Sequence, residues 1–197
     1  MMGKIFYLMG KSSVGKDTIY QKLLENQELK LKKVIMYTTR PIRTGELQGK
    51  EYFFVSDKKC AELKQRGKIV ELRSYKTCLG VWKYFTVDDG QIALDNGNYI
   101  VMGTLESYNQ TRTYYGKENV VPIMLILDDA TRLQRALDRE KIQEFPQYEE
   151  LCRRFLADTK DFSKEKMKEA GIKTFFENEN LEDCLEKIKK CIRNTIY

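Results

Sequence analysis

The chain has 197 residues, enough for one core domain with room for a small insertion and too few for a multidomain assembly. Hydrophobic residues make up 42% of it and charged residues 32%, with no low-complexity block, so a sizeable core can form. Lys and Arg outnumber Asp and Glu by 35 to 29; the net +6 favours anionic partners such as phosphorylated small molecules, without the basic tail of a nucleic-acid binder.

Histidine is absent, which excludes an imidazole base, a His-assisted nucleophile and a His metal ligand, and with them the serine hydrolases and most zinc enzymes. Cys60, Cys78, Cys152, Cys184 and Cys191 form no CxxC pair, and their odd number and irregular spacing point to reduced core thiols. The N-terminal apolar run is too short for a signal peptide and no stretch of ~18 apolar residues occurs, so a soluble, cytoplasmic protein is expected.

In chain order, Ile5–Met9 reads as a strand ended by Gly10, and Asp17–Glu25 as a helix with Ile19, Leu23 and Leu24 on one side. Val34–Tyr37 reads as a second strand, followed by an extended basic loop over Thr38–Lys50. Tyr52–Val55 is strand-like, Ser56 caps a helix over Asp57–Arg66 that stops at Gly67, and Ile69–Tyr75 and Lys83–Val87 are β-rich. From Asp88 the pattern predicts a helix to Asp95, a strand at Tyr99–Met102, a helix at Leu105–Tyr115 and an apolar strand from Val120 to Leu127, covered on both faces. Pro146 splits the charged stretch Arg132–Lys160 into two helices; Thr174–Glu177 and Leu181–Ile196 make the last strand and helix. The alternation predicts a parallel α/β sheet with right-handed crossovers.

Gly10-Lys11-Ser12-Ser13-Val14-Gly15-Lys16 has the G-x-x-x-x-G-K spacing of a phosphate-binding P-loop and sits between a strand and a helix, where the mechanism needs it. Its backbone N–H groups and the positive helix end can surround a polyphosphate while Lys16 reaches the β- and γ-phosphates. The position after Lys16 is Asp17, not the Ser or Thr that usually serves Mg²⁺, and Thr18 follows; either offers a hard oxygen, and Asp17 also suits a first helical turn by dipole alone. Thr38-Thr39-Arg40-Pro41-Ile42-Arg43 places two guanidinium forks beside hydroxyls, a pattern that suits phosphate contact but on its own equally describes a solvated basic loop.

Together these two motifs resemble the guanylate kinase family, in which T-T-R-x-x-R followed by G-x-x-Y carries the acceptor nucleotide. The resemblance spans about residues 4–192, with its specific residues at 10–18, 38–52 and 71. It implies that Arg40, Arg43 and Tyr52 hold the phosphate of GMP, and that Glu71, in Gly67-Lys68-Ile69-Val70-Glu71, reads guanine. A carboxylate suits that task because it accepts from guanine's adjacent N1–H and N2–H₂, which adenine does not offer. Tyr84 and Thr86 match the family's Y-G-[ST] segment, Arg132, Arg135 and Arg139 its arginine-bearing lid, and Arg153-Arg154 its second arginine pair. Arg139 and Arg153, with Arg154 as the alternative, are assigned to the transferred phosphoryl group, and Arg132 to the adenine or the hinge; Asn178 is either a donor-site residue or a loop residue after a core strand.

Two departures stand out: Met36 replaces a common Ser, and Tyr99–Thr104 lacks an acidic pair. The resemblance implies a P-loop kinase core over 1–35 and 88–197 with a lid within about 136–157, and a mixed α+β GMP-binding insertion over 36–87. The function implied is phosphoryl transfer from ATP to GMP with Mg²⁺, with no nucleic-acid or membrane partner. A catalytically weak nucleotide- or protein-binding module and a kinase for another phosphorylated acceptor are the alternatives.

Overall fold

The computed structural model describes residues 2–77 and 80–196, so Cys78 lies outside the described residues. The elements are β1 (Ile5–Met9), α1 (Lys16–Glu25), β2 (Lys32–Lys33), β3 (Tyr37–Thr38), β4 (Phe53–Phe54), α2 (Asp57–Gln65), β5 (Ile69–Thr77), β6 (Gly80–Val87), β7 (Tyr99–Met102), α3 (Leu105–Tyr115), β8 (Val120–Ile126), α4 (Asp129–Lys141), α5 (Tyr148–Asp161), α6 (Lys164–Glu169), β9 (Phe175–Glu177) and α7 (Leu181–Ile196).

Five strands form a parallel sheet in the order β2-β7-β1-β8-β9. Every residue of β1 is buried, because its alternating side chains enter two cores: Phe6 and Leu8 join Ile19, Leu23, Ile188 and Ile192 on one face, while Ile5, Tyr7 and Met9 join Tyr108 and Phe162 on the other. In α7, Cys184, Leu185, Ile188 and Ile192 line one side, and that stripe seats the helix against the sheet and α1. The doubly covered central strand fixes the loop that leaves its C-terminal end, where α/β sheets bind ligands.

A second sheet, ordered β4-β3-β6-β5, lies within residues 37–87. β5 and β6 form an antiparallel hairpin, β3 joins β6 antiparallel, and β4 joins β3 parallel. Cys60 and Leu63 of α2 cover its apolar side, against Phe85, Val87, Ile69 and Leu72. Ser56 caps α2, its side chain accepting from the Lys59 N–H.

The structure corrects several sequence expectations. Val34–Tyr37 is not one strand: Val34 is buried in the main core, the Ile35 N–H and carbonyl bond the Gln91 side chain, and β3 begins at Tyr37. Of Tyr52–Val55, Phe53 and Phe54 pair with β3, and Tyr52 makes an isolated bridge to Gln48. No helix spans 88–95; the Asp89 side chain accepts from the Gln91 N–H, Gly90 takes φ +91°, and one 3₁₀ turn follows at Leu94–Asn96. Six-residue α6, capped by Ser163, was not anticipated, being nearly all charged. Cys60 and Cys184 are buried thiols, but Cys152 on α5 is exposed and is not a core residue.

Candidate active site

The loop after β1 folds over a strained backbone: Gly10, Ser13 and Gly15 take φ of +152°, +63° and +92°. At Gly15 a Cβ would stand 2.4 Å from Asn178 Nδ2, so this glycine is required by both conformation and space. Asn178, directly after β9, is buried and donates to the Val14 carbonyl at 2.8 Å, fastening the loop to the far edge of the sheet. Lys16 lies back along the loop, donating to the Gly10 and Lys11 carbonyls at 2.8 Å each. Burial pushes its ammonium down to about 8, against the opposing pull of Asp158 and Asp17. Asp17 and Thr18 are exposed in the first turn of α1.

Helices α4 and α5 close over this loop. Arg132 is 1% exposed; its guanidinium donates to the Ser12 carbonyl at 2.9 Å, pairs with Asp129 at 2.7 Å and with Asp158 at 3.5 Å, and stacks 4.8 Å from the Phe155 ring. In this structure it ties α4 and α5 to the loop. Arg139 approaches Ser13 Oγ at 3.4 Å and Arg154 reaches Ser12 Oγ at 3.2 Å. Arg153 does not: it turns to solvent and pairs with Glu150 one helical turn away at 2.6 Å, so of the two neighbours Arg154 is the one at the loop. Asp158, which sequence reasoning missed, accepts from the Ser12 N–H at 2.6 Å. The resulting cleft is lined by Ser12, Ser13, Arg132, Arg139, Arg154 and Phe155.

The second sheet and the loop after β3 carry the other predicted residues. Arg40 is 5% exposed, and both its Nη atoms bind the Glu46 carboxylate, at 2.7 and 2.5 Å. Its guanidinium also lies 5.2 Å from the Tyr52 ring and 5.3 Å from that of Phe54. The Arg40 bond holds Glu46 down to about 2, helped by the Arg43 N–H. Glu46 lies in the Thr38–Lys50 loop, where its i+3 spacing from Arg43 was the available signal. Arg43 is exposed, and Tyr84 packs edge-on against Tyr52.

Strand register sets the rest. Ile69 pairs with Val87 but Glu71 pairs with Thr86, so Val70 is an extra residue. That bulge lets Ile69 join Leu72 on the apolar face while Glu71 and Arg73 point to the other. Thr86, directly opposite, donates to Glu71 Oε1 at 2.9 Å. Glu71 is buried, and Arg73 Nε donates to its Oε2 at 3.0 Å.

A model of the guanylate kinase family matches residues 2–86. A guanylate kinase of Mycoplasma mobile is 28% identical over 212 residues, spanning 99% of this chain and 94% of the relative, and one of Malacoplasma penetrans is 28% identical, spanning 90% and 82%. The chain is similar to guanylate kinases along nearly its whole length. The crystal structure of a guanylate kinase from Anaplasma phagocytophilum shares the fold at a TM-score of 0.63 and 22% identity, covering 98% of this chain and 86% of that one. Against the family pattern, Met36 occupies the common Ser position; its Sδ accepts from Arg73 Nη2 at 3.4 Å. Among the described residues, no group of three or more His, Cys, Asp or Glu side chains is arranged to hold a metal ion, and no helix is long and apolar enough to cross a membrane.

Proposed function

We propose that the chain transfers the γ-phosphoryl group of ATP to GMP: an oxygen of the GMP phosphate bonds to the γ-phosphorus, the bond to the β–γ bridging oxygen breaks, and ADP and GDP leave. One observation carries this reading. Two cationic cradles on two sheets, the loop with Lys16 and the face with Arg40 and Arg43, lie in one chain, and a buried carboxylate, Glu71, stands on the second sheet face. The relatives' shared name supports the same donor and acceptor.

In this reading Lys16 and the loop N–H groups bind the donor's phosphates, and Arg139 and Arg154 place fixed positive charge where the transferred group spreads charge over its oxygens. Arg40, flattened by Glu46 and its aromatic neighbours, with Arg43 and Tyr52, orients the acceptor phosphate; Tyr84 and Thr86 complete that side, and Glu71 faces the base. No protein base is needed, because positioning and electrostatics dominate phosphoryl transfer. Mg²⁺ usually takes one or two carboxylates together with substrate phosphates and waters, so the exposed Asp17 carboxylate and Thr18 hydroxyl fit it without a dedicated cage. When bound there it neutralises charge on the β- and γ-oxygens. A loop amide engaged by Asp158 in this structure becomes available when the lid shifts to admit nucleotide.

A coupled assay with ATP, Mg²⁺ and a panel of GMP, dGMP, AMP, CMP and UMP tests the proposal. GMP turnover supports it. Turnover of another acceptor, or nucleotide binding without turnover, overturns it.

A further inference from the structure

The buried Glu71 does not stand alone. Arg73, two residues along β5 and on the same face, is 9% exposed, and its guanidinium lies side-on to the carboxylate: Nε donates to Oε2 at 3.0 Å and Nη2 to Oε1 at 3.3 Å. The second Nη2 hydrogen goes to Met36 Sδ at 3.4 Å, a weak acceptor. Nη1 makes no hydrogen bond among the described residues. A guanidinium carries five N–H donors in a rigid fork, so the Glu71 contact fixes its plane and leaves the Nη1 edge to serve something else.

The charge balance indicates which kind of acceptor. Arg40 and Arg43 against Glu46 leave a net +1, suited to a phosphate. Arg73 against Glu71 leaves zero, and Thr86 adds only a hydroxyl. A neutral buried pair offers a donor direction without net charge, which matches a neutral oxygen on a base. Nη1 and Nη2 form the edge with which arginine reads guanine O6 and N7 in other settings.

We propose that Arg73 is a specificity-determining residue of the acceptor site, presenting its Nη1 edge to the keto oxygen at position 6 of the base while Glu71 fixes the guanidinium plane. This rests on the reading of the second sheet face as the GMP site. Met36 supports it physically: a thioether holds Nη2 weakly enough to yield to a base oxygen, where a hydroxyl would compete.

The test measures acceptor Kd by calorimetry for GMP and 6-thio-GMP, which keeps both ring-edge N–H donors and replaces only the keto oxygen. Wild type should bind GMP about tenfold or more tighter than 6-thio-GMP. In R73M that ratio should fall to within about twofold, the analogue losing little because its partner is already gone. R73M strands a buried carboxylate and can fail to fold, so E71Q/R73M, which leaves no charge behind, and R73K, which keeps the charge but not the fork, are measured beside it; both should show the reduced ratio. Thermal midpoints and ATP affinity report whether each variant is folded. If wild type binds GMP and the ratio is unchanged in the folded Arg73 variants, the inference is wrong and the GMP site stands. If wild type binds no GMP, the underlying reading fails and the inference with it.

Discussion

Replacing Arg132 with Met keeps an apolar stem of similar reach and removes the guanidinium that joins α4 and α5 to the loop. The half-exposed pairing with Asp129 contributes at most about 1 kcal/mol. The buried, charge-assisted bond to the Ser12 carbonyl contributes about 1.5–3 kcal/mol. Asp158, only 16% exposed, loses its cation, and breaking a buried pair from one side costs about 3–5 kcal/mol in total, a range that already contains the Ser12 contribution. Methionine against the Phe155 ring returns about 1 kcal/mol. The predicted net loss is therefore about 3 kcal/mol, or roughly 6–12 °C in Tm for a chain of this size. Urea titration and thermal unfolding followed by circular dichroism measure it. The double variant R132M/D158N should recover part of the loss, because no unpaired charge remains. A loss below about 1 kcal/mol in R132M, or no recovery in the double variant, would refute this role of Arg132.

The neighbouring arginines should separate cleanly: R154M should lower kcat by about tenfold or more, whereas R153M, whose partner is solvent-exposed Glu150, should stay within about twofold. Equal losses in the two would contradict the placement. Lys16 gives a pH signature. Its folded value near 8 lies below the usual lysine range, so the unfolded chain holds the extra proton between them; the penalty is fully present below pH 8, and stability from this group rises with pH above it. A bound polyphosphate restores the charged form, so nucleotide binding at about pH 8.5 should take up a proton, read by calorimetry in buffers of different ionisation enthalpy. Absence of buffer dependence would count against a buried Lys16 at the phosphates.

Local sequence determined much of this protein. The P-loop needed only a short apolar strand, glycines where the backbone turns left-handed, and a helix behind them; Ser56 and the 3.6-residue stripe of α7 likewise declare themselves within a few residues. The failures fall where a partner far along the chain decided the outcome. Val34–Met36 has strand composition, yet Gln91 takes the backbone groups of Ile35, and Arg153 and Arg154 are indistinguishable until the helix turns one of them toward Ser12. Asp158 has no local signature at all, since its partners lie 146 and 26 residues away.

The second sheet shows the division most clearly. Glu71 and Thr86 stood out in the sequence only through the resemblance, and Arg73 did not stand out, though alternation puts Glu71 and Arg73 on a shared face. Simple alternation would also have placed Ile69 on that face. The bulge at Val70 moves it to the α2 side, where it packs with Cys60, Leu63 and Leu72. Residue types and short-range periodicity are properties of the chain; which face meets which neighbour is settled by burial across distant segments, and only the folded molecule sums it.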